Sequence, residues 1–564
     1  MSSIHLPRRR FVRGLAAASA LAGLGLPRHA VRAATASGFG HPDPSGSTLD
    51  LTAGRAAVNV SGSRASATLV NQLLPGPVLR WRQGDTVTLR VRNTLPVPTS
   101  IHWHGIRSPA DMDGVPALSF MGIMPGETFT YRIPLPEHQA GTYWYHSHSA
   151  FQEQTGLYGA IVVEPRDGYR ERFERDYVVV LSDWTDTDPE QVASNLKLQS
   201  DYYNFHQRTL GTFVADARRD GLRPTIADCL AWGRMRMSPT DIADVTGATY
   251  TYLLNGAAPS ANWTGLFRPG ERVRFVNASS MTFFDVRVPG LAMTVVQADG
   301  NDVAPAEVNE FRIGVAETCD VIVRPEGDRA YAIFAQSEDR TGFASGTLAP
   351  RPGMAGPIPA TDPRPLRTMV DMGMGHGAMG GHNGPGMTGK EGDPTGAAAH
   401  GQVGVDNVAM MPMNRLGDPG DGLEHNERRV LTCAMLRARE KGADPHPPSR
   451  EITLHLTGNM QRYVWGFDGK KFSQAEPIRL KLGERVRFIL ANDTMMEHPI
   501  HLHGLWSELE NGQGEYRPFK HTVIVKPGEK LSYLVTADTP GAWAHHCHLL
   551  YHMEMGMFRT VVVA

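Results

Sequence analysis

Cysteine is scarce in this sequence. Four cysteines, scattered through 564 residues, are too few for a fold held together by disulfide bonds. Three of them, Cys229, Cys319 and Cys433, are expected to be buried small apolar residues, with a disulfide among them left open. The chain also has no large excess of positive or of negative charge. The 56 basic and 58 acidic residues leave a net charge of -2, which argues against nucleic acid or an anionic membrane surface as a partner.

Long apolar runs are missing too, except near the N-terminus. There Arg8, Arg9 and Arg10 precede an apolar stretch from Gly14 to Leu26, and small residues follow. About a dozen apolar residues are too few to cross a bilayer and are typical of the core of a signal peptide. The paired arginines resemble a twin-arginine export signal, with an ordinary secretory signal as the alternative. We therefore expect residues 1–36 to be an export signal, the mature protein to be periplasmic, and no segment to be transmembrane.

Glycine and proline are plentiful, with 59 and 40 residues, and they separate short alternating stretches that are typical of β-strands. One such stretch recurs three times, each time entered through a glycine turn: GDTVTLRVRNT at 84–94, GERVRFVNAS at 270–279 and GERVRFILANDT at 483–494. This repetition predicts an all-β chain with three copies of one β-domain. We place the copies at residues 37–167, 168–350 and 426–564, with a linker at 351–425.

Histidine pairs mark the first and third copies. Nine and eleven residues after Asn93 and after Asn492, the chain has the two histidines of an H-x-H pair. At the same offsets from Asn277, the middle copy has Val286 and Val288, so it is interpreted as a spacer. A second pair in each outer copy begins five residues after a glycine, in GTYWYHSH and GAWAHHCH. The four pairs are His102/His104, His146/His148, His501/His503 and His546/His548.

The H-x-H spacing suits two neighbouring metal ions better than one. On an extended strand, residues i and i+2 project from one face about 6.5 to 7 Å apart. Eight imidazoles that converge from the two outer domains would suit a cluster of copper ions at their interface. Zinc is the alternative metal for such pairs, but structural zinc sites need fewer imidazoles than this.

The third copy adds a second kind of metal site. Two histidines, a cysteine and a methionine match the arrangement of blue-copper sites that transfer electrons; they are His498, Cys547, His552 and Met557. The matching positions of the first copy are Thr99, Ser147, Gln152 and Leu157. Because Cys547 lies between two cluster histidines, an electron that enters at its thiolate has a short covalent route to the cluster. His545 falls outside the H-x-H register and is given no metal.

The motifs HWHG, WYHSH, HPIHLHG and HCHLLYHMEMGM resemble those of the multicopper oxidases, which include laccases and ascorbate oxidase. Longer stretches such as SIHWHGIRSPADMDGVP and LTGNMQRYVWGFDG are most similar to the CopA-type periplasmic copper-resistance oxidases, and the resemblance covers nearly the whole mature chain. It implies three consecutive cupredoxin-like domains, each a β-barrel or sandwich. It also implies four copper ions, one type 1, one type 2 and a type 3 pair, and the reduction of O₂ to water with four electrons.

The same resemblance implies a role for each ligand. The type 2 copper takes His102 and His501. The type 3 coppers take His104, His146 and His548 on one side, and His148, His503 and His546 on the other. The type 1 copper takes His498, Cys547, His552 and Met557, with Cys547 as the catalytic residue through which electrons enter.

Reduction of O₂ also needs protons. Asp113 matches the carboxylate that serves the cluster in relatives, with Asp111 as its neighbouring competitor. The plain alternative is a turn aspartate before Gly114. Many relatives carry a second carboxylate directly after the last type 1 histidine, where this chain has Met553, followed by Glu554.

Residues 351–425 break the strand pattern. Eight of the 24 methionines fall between Met369 and Met413, interspersed with His376, His382 and His400. Thioethers prefer Cu(I), and the high glycine and proline content implies a mobile segment. We expect this segment to bind extra Cu(I) and deliver it near the type 1 site. A disordered linker is the alternative, and it is compatible with copper binding.

The sequence therefore predicts an exported multicopper oxidase of copper homeostasis. Its small-molecule partners would be O₂, Cu(I) and phenols, and its protein partners other periplasmic copper-handling proteins. The alternative is a copper-sequestering protein with little turnover. The thiolate joined to a cluster favours the enzyme, because storage does not need it. A copper nitrite reductase is disfavoured because the four complete pairs predict a three-copper cluster.

Overall fold

A computed structural model describes residues 44–268, 270–373 and 404–564. The predicted export signal, and the three histidines of the methionine-rich segment (376, 382 and 400), lie outside the described residues. Strands dominate and form three successive pairs of sheets, named here the first, second and third sandwich. The prediction of an all-β chain is confirmed. Within the described ranges, no helix has the length and apolar character needed to cross a bilayer.

The first sandwich has eight strands. They are β1 (Thr48–Asn59), β2 (Arg64–Val70), β3 (Gly76–Arg82), β4 (Thr86–Asn93), β5 (His102–His104), β6 (Thr128–Pro134), β7 (Gly141–His146) and β8 (Tyr158–Glu164). They form two four-stranded sheets, in the orders β2-β1-β4-β6 and β3-β8-β7-β5. The recurring stretch is β4, where Val87, Leu89 and Val91 are buried and alternate with more exposed neighbours. Period-two alternation places these three side chains on the core face.

The second sandwich has two six-stranded sheets. Its strands are β9 (Arg175–Trp184), β10 (Thr251–Leu254), β11 (Trp263–Leu266), β12 (Glu271–Asn277), β13 (Phe284–Arg287), β14 (Met293–Ala298), β15 (Asn301–Val308), β16 (Glu310–Ile313), β17 (Thr318–Val323), β18 (Tyr331–Ser337), β19 (Phe343–Ala349) and β20 (Val430–Leu431). The sheet orders are β10-β9-β12-β17-β14-β15 and β11-β19-β18-β13-β16-β20. Between β9 and β10 the chain inserts three helices, α1 (Pro189–Leu198), α2 (Leu210–Asp220) and α3 (Leu222–Met235). The side chain of Asp188 caps α1, and a Thr209–Thr212 capping box begins α2.

The third sandwich repeats this plan with six and five strands. They are β21 (Arg450–Asn459), β22 (Val464–Phe467), β23 (Ile478–Leu480), β24 (Arg485–Asn492), β25 (His498–Leu502), β26 (Ser507–Leu509), β27 (Phe519–Lys520), β28 (Thr522–Val525), β29 (Lys530–Thr536), β30 (Gly541–Cys547) and β31 (Phe558–Val563). The sheet orders are β22-β21-β24-β29-β26-β27 and β23-β31-β30-β25-β28. A short helix, α4 (Leu550–Glu554), connects β30 to β31.

A buried asparagine ends the recurring strand of every sandwich. Its Nδ2 donates to two main-chain oxygens: those of Val97 and Ile123 from Asn93, of Thr282 and Ile313 from Asn277, and of Met496 and Val525 from Asn492. These bonds fix the loop that follows the strand, and in the outer sandwiches that loop leads to the first histidine pair. The offsets counted in the sequence are therefore positions in a shared local structure.

The four cysteines are all free. Cys319 is buried as expected, whereas Cys229 and Cys433 are half-buried. The first and second sandwiches are joined by a buried charge cluster, in which Asp320 pairs with both Arg272 and Arg274 and accepts a hydrogen bond from Thr142 across the interface. Pairing of this kind offsets the cost of removing these charges from water.

Candidate metal centre

Two pairs of neighbouring strands carry the histidine pairs. In the first sandwich, β5 and β7 are antiparallel, with His102 opposite His146. In the third sandwich, β25 and β30 are antiparallel, with His501 opposite His546. The two strand pairs meet at the interface between the sandwiches and bring all eight imidazoles together. Seven of the eight are buried and His148 is half-buried.

The eight rings form a compact cluster. Two sets of three rings have centroid separations of 4.8–5.7 Å and 5.0–5.2 Å: His104, His146 and His548, and His148, His503 and His546. The remaining two rings, His102 and His501, are 5.7 Å apart. Closer contacts cross these sets, such as 3.8 Å between His104 and His501. The structure therefore brings the eight predicted ligands together.

The outward-facing ring nitrogens are held by protein oxygens. The Nδ1 atoms of five histidines have such partners: His102 with Asp113 O at 2.8 Å, His503 with Asp113 Oδ2 at 2.9 Å, His146 with Glu153 Oε2 at 2.6 Å, His501 with His521 O at 2.5 Å and His546 with Cys547 O at 2.9 Å. Within the cluster, four buried ring nitrogens have no hydrogen-bond partner among the described residues: Nε2 of His102, His148 and His501, and Nδ1 of His104. In His102, His104 and His501 the opposite ring nitrogen is held. A buried nitrogen with a free lone pair, on a ring fixed in this way, is the donor that copper requires.

Burial sets the protonation state of these rings. Burial, followed by repulsion between neighbouring imidazoles, lowers the pKa of the cluster histidines well below its usual value for His104, His146, His148, His501, His503 and His548. Burial also lowers the pKa of His546 to about 4. These seven rings are therefore neutral near pH 7, which is the form that binds a metal.

A separate group lies on the other side of β30. Cys547 Sγ is 3.4 Å from His498 Nδ1 and 3.8 Å from His552 Nδ1, and these two nitrogens are 3.3 Å apart. Met557 is fully buried, and its main-chain oxygen accepts a bond from Cys547 N at 3.1 Å. Burial raises the pKa of the Cys547 thiol far above its usual value. A metal at this site therefore has to displace the thiol proton.

The outer nitrogens of this second group also have partners. His498 Nε2 lies 2.7 Å from Thr494 Oγ1, and His552 Nε2 lies 2.6 Å from Asp244 Oδ2. Asp244 follows the helical insertion of the second sandwich and also accepts a bond from Tyr463. His545, which was given no metal, instead places Nε2 2.9 Å from the Tyr533 hydroxyl in the core of the third sandwich.

The structure distinguishes between the two aspartates that were candidates for the proton-donating carboxylate. Asp113 is buried and contacts two cluster histidines, whereas Asp111 is exposed. The approach depends on Gly114 (φ +86°), because a Cβ there would lie 1.9 Å from Ile101 O. Glu554, the substitute for the missing second carboxylate, is exposed.

Three further residues at these sites were not anticipated from the sequence: Glu153, Asp244 and His521. Glu153 comes from the turn after His148, Asp244 from another sandwich, and His521 from the position between β27 and β28. None belongs to an H-x-H pair or repeats at a matching offset in the other copies. The sequence therefore offered no signal that marked them, beyond the nearness of Glu153 to the HSH motif.

Comparison with known proteins agrees with this geometry. Three multicopper oxidase family models match residues 52–168, 175–351 and 445–564. The chain is 53% identical to the "Copper resistance protein A homolog" of Pseudomonas syringae pv. tomato and 51% identical to the "Copper resistance protein A" of Escherichia coli, with 99% of each chain covered in both cases.

Solved structures show the same fold. Fet3p, a multicopper oxidase that functions in iron import, superposes with a TM-score of 0.66 at 19% identity, over 92% of this chain and 90% of that one. A laccase from Botrytis aclada gives 0.63 at 19% identity, over 94% and 90%. The prediction of three cupredoxin-like domains is confirmed. The chain belongs to the multicopper oxidase family.

Proposed function

We propose that this chain is an exported, periplasmic oxidase of copper resistance, which takes electrons from Cu(I), and from phenols, and passes them to O₂. The observation that carries the proposal is the order of residues at the end of β30. Cys547 faces His498 and His552, while its neighbours His546 and His548 belong to the eight-histidine cluster. One stretch of three residues thus joins both groups. The relatives named for copper resistance support the biological role.

As a multicopper oxidase, the protein binds four copper ions, which supply one-electron transfer at the type 1 position and O₂ reduction at the other three. The unpartnered ring nitrogens and the ring spacings support the ligand sets that the resemblance implies. Type 2 copper takes His102 and His501; the type 3 pair takes His104, His146 and His548, and His148, His503 and His546; type 1 copper takes His498, Cys547, His552 and Met557.

The protein holds the cluster imidazoles in fixed orientations. Asp113 does this for two sandwiches at once, because it holds Nδ1 of His102 and Nδ1 of His503. We also assign to the Asp113 carboxylate the relay of the protons that O₂ reduction consumes, one for each electron. It is the buried carboxylate nearest the ring that belongs to the type 2 site, with Oδ1 3.3 Å from His102 Nδ1.

We assign to Glu153 the role of the second carboxylate, which many relatives carry at the position of Met553. Its Oε2 lies 2.6 Å from His146 Nδ1, and the side chain is 2% exposed. Burial raises the pKa of Glu153 well above its usual value and lowers the pKa of His146 well below its usual value. We infer that Glu153 fixes the His146 ring with Nε2 towards the metal.

Electrons enter at the edge of the type 1 site that faces Asp244. The His552 ring is stacked against Trp465, with centroids 3.8 Å apart, and its Nε2 contacts Asp244. Residues 364–367 approach the same region, because Arg367 N donates to Pro239 O. A donor that docks here lies one imidazole away from the type 1 position.

The methionine-rich segment begins and ends beside the third sandwich. Met372 is buried, Met411 N donates to Gly373 O, and Lys530 N donates to Met413 O. Met410, Met411 and Met413 remain 63%, 48% and 47% exposed. Exposed thioethers are ligands that Cu(I) prefers, so they support capture of extra Cu(I) by this segment. Other periplasmic copper-handling proteins are the partners we propose as its source.

Oxygen uptake by copper-loaded protein with Cu(I) as electron donor tests the function. The wild type is expected to consume O₂, and a Cys547→Ser variant to fall to the background rate. Cys229→Ser, in helix α3, is the matched control and should behave as the wild type. Equal uptake by Cys547→Ser and the wild type would refute electron entry through Cys547. Stoichiometric copper binding without any uptake would favour sequestration.

A further inference from the structure

A ninth histidine lies beside the cluster. His521 is 3% exposed, and its ring meets that of His104 edge-on, with centroids 4.6 Å apart. Its Nδ1 is 3.0 Å from His104 Nε2. The neighbouring Gly105 (φ +80°) leaves room for this ring, since a Cβ at Gly105 would lie 2.5 Å from His521 Cδ2.

His104 is oriented differently from its neighbours. In the five cluster histidines whose outer contacts are described above, the held nitrogen is Nδ1. In His104 the held nitrogen is Nε2, and the buried Nδ1 has no partner among the described residues. For Nδ1 to bind a metal, the ring proton must reside on Nε2 and needs an acceptor. His521 Nδ1 provides that acceptor, and Thr522 Oγ1 lies 3.1 Å from the same Nε2.

The main chain of His521 holds another cluster ring. His501 Nδ1 donates to His521 O at 2.5 Å. One residue therefore contacts a first-sandwich histidine through its side chain and a third-sandwich histidine through its carbonyl.

The second sandwich holds this segment in place. Asp299 Oδ2 accepts a bond from Thr522 N at 3.1 Å and pairs with Lys520 Nζ at 2.9 Å. Lys520 Nζ also contacts Glu317 Oε1 at 2.6 Å. Asp299 is fully buried, so these contacts are not open to competition from water. The sandwich without cluster histidines thus contacts the cluster indirectly, through residues 520–522.

We propose that His521 is a positioning residue of the copper cluster, which fixes His104 with Nδ1 towards the metal and connects it to Asp299 of the second sandwich. The inference rests on the proposed function, because it requires His104 to be a copper ligand. It also revises the interpretation of the middle copy as a spacer.

The test compares His521→Asn with His521→Leu. The asparagine Oδ1 can replace Nδ1 as an acceptor, whereas leucine cannot. Leucine is expected to weaken copper binding at the cluster about 10- to 100-fold, the usual cost of losing such an outer partner. Copper per chain, titrated against a competing chelator, and the type 2 electron paramagnetic resonance signal measure this. The blue type 1 absorption should match the wild type in both variants, which shows that they fold, and asparagine should restore the cluster signals.

Two results would overturn the inference alone. One is a His521→Leu protein with wild-type copper affinity and spectra. The other is a His521→Asn protein as defective as the leucine variant, which would mean that the ring acts by packing or as a ligand. A wild type that binds copper only at the blue site would overturn the proposed function together with this inference.

Discussion

The first and third sandwiches show what separates a closed polar site from a metal site on one scaffold. In the first, Gln152 Oε1 accepts bonds from Thr99 Oγ1 at 2.6 Å and Ser147 Oγ at 3.1 Å, and Gln152 Nε2 donates to Pro98 O. In the third, the matching His498, Cys547 and His552 turn ring nitrogens and a sulfur towards a common point.

The two sites differ in which groups accept and donate the hydrogen bonds. In the first sandwich the polar side chains bond to one another and to the main chain, so they do not need a metal ion as a partner. In the third, the outer nitrogens are held by Thr494 and Asp244 while the inner donor atoms have only each other. A metal site therefore forms where hydrogen bonds fix the outer nitrogens of the ligands and the lone pairs of the inner donor atoms stay free.

The largest effect is expected when the third site is converted into the first. The exchange consists of His498→Thr, Cys547→Ser, His552→Gln and Met557→Leu. It should abolish the blue absorption and Cu(I)-driven oxygen uptake, because no thiolate or imidazole remains at the electron-entry position. One copper fewer per chain should bind, while the type 2 resonance signal persists. Loss of the cluster copper as well would show that the two sites are not separable and would break the comparison.

The next largest effect is expected at Asp113, a residue of the first sandwich, when its carboxylate is replaced by an amide. Asp113→Asn retains an oxygen that can accept from His503 but cannot deliver a proton, so turnover with Cu(I) should fall by about 10² to 10⁴. Asp111→Asn, at the exposed neighbouring position, is the control and should stay near the wild type. Rates of oxygen uptake are read beside copper per chain. Lost turnover that simply follows lost copper would reduce Asp113 to a structural role.

These two predictions rest on residues that could be found from the sequence. The recurring strand, its asparagine and the fixed offsets predicted the β-domains and the four histidine pairs, because residues two apart on a strand point to the same side. The match to a blue-copper arrangement added His498, Cys547, His552 and Met557. Ligand types then distinguished the third copy from the first.

The supporting residues could not be found in this way. Glu153, Asp244 and His521 act singly, through contacts with His146, His552 and His104. Two of these contacts cross between sandwiches, so they depend on how the domains dock, and no periodicity records that. The helical insertion that leads to Asp244 was likewise absent from the predicted all-β pattern.

A smaller effect is expected from the methionines that accompany only the third sandwich. Replacing Met410, Met411 and Met413 with leucine keeps their volume and removes the exposed thioethers. Uptake with Cu(I) at low concentration should fall about fivefold, equivalent to about 1 kcal/mol of binding, while uptake with a phenol stays unchanged. Deletion of 369–413 would be less clean because Met372 and Val405 are buried. An equal loss with both donors would contradict Cu(I) capture.

The smallest effect concerns stability at low pH, at the position next to the cluster. His545 occupies the place that Tyr145 has in the first sandwich, and burial lowers its pKa to about 3. Unfolding exposes the ring, whose pKa returns to about 6.5. Below pH 6.5 the unfolded chain binds a proton that the folded chain does not, so stability falls as pH falls towards the folded pKa.

At pH 5 this amounts to about 2 kcal/mol. His545→Phe removes the titrating group, as in the first sandwich, where Tyr145 stays neutral. Urea unfolding of copper-free protein at pH 7 and pH 5 should therefore show about 2 kcal/mol less pH-dependent loss in the variant than in the wild type. The variant is expected to be less stable at pH 7, because the Tyr533 hydroxyl loses its partner. Parallel pH dependences in the two proteins would show that His545 is not the buried neutral ring that distinguishes this strand from its counterpart.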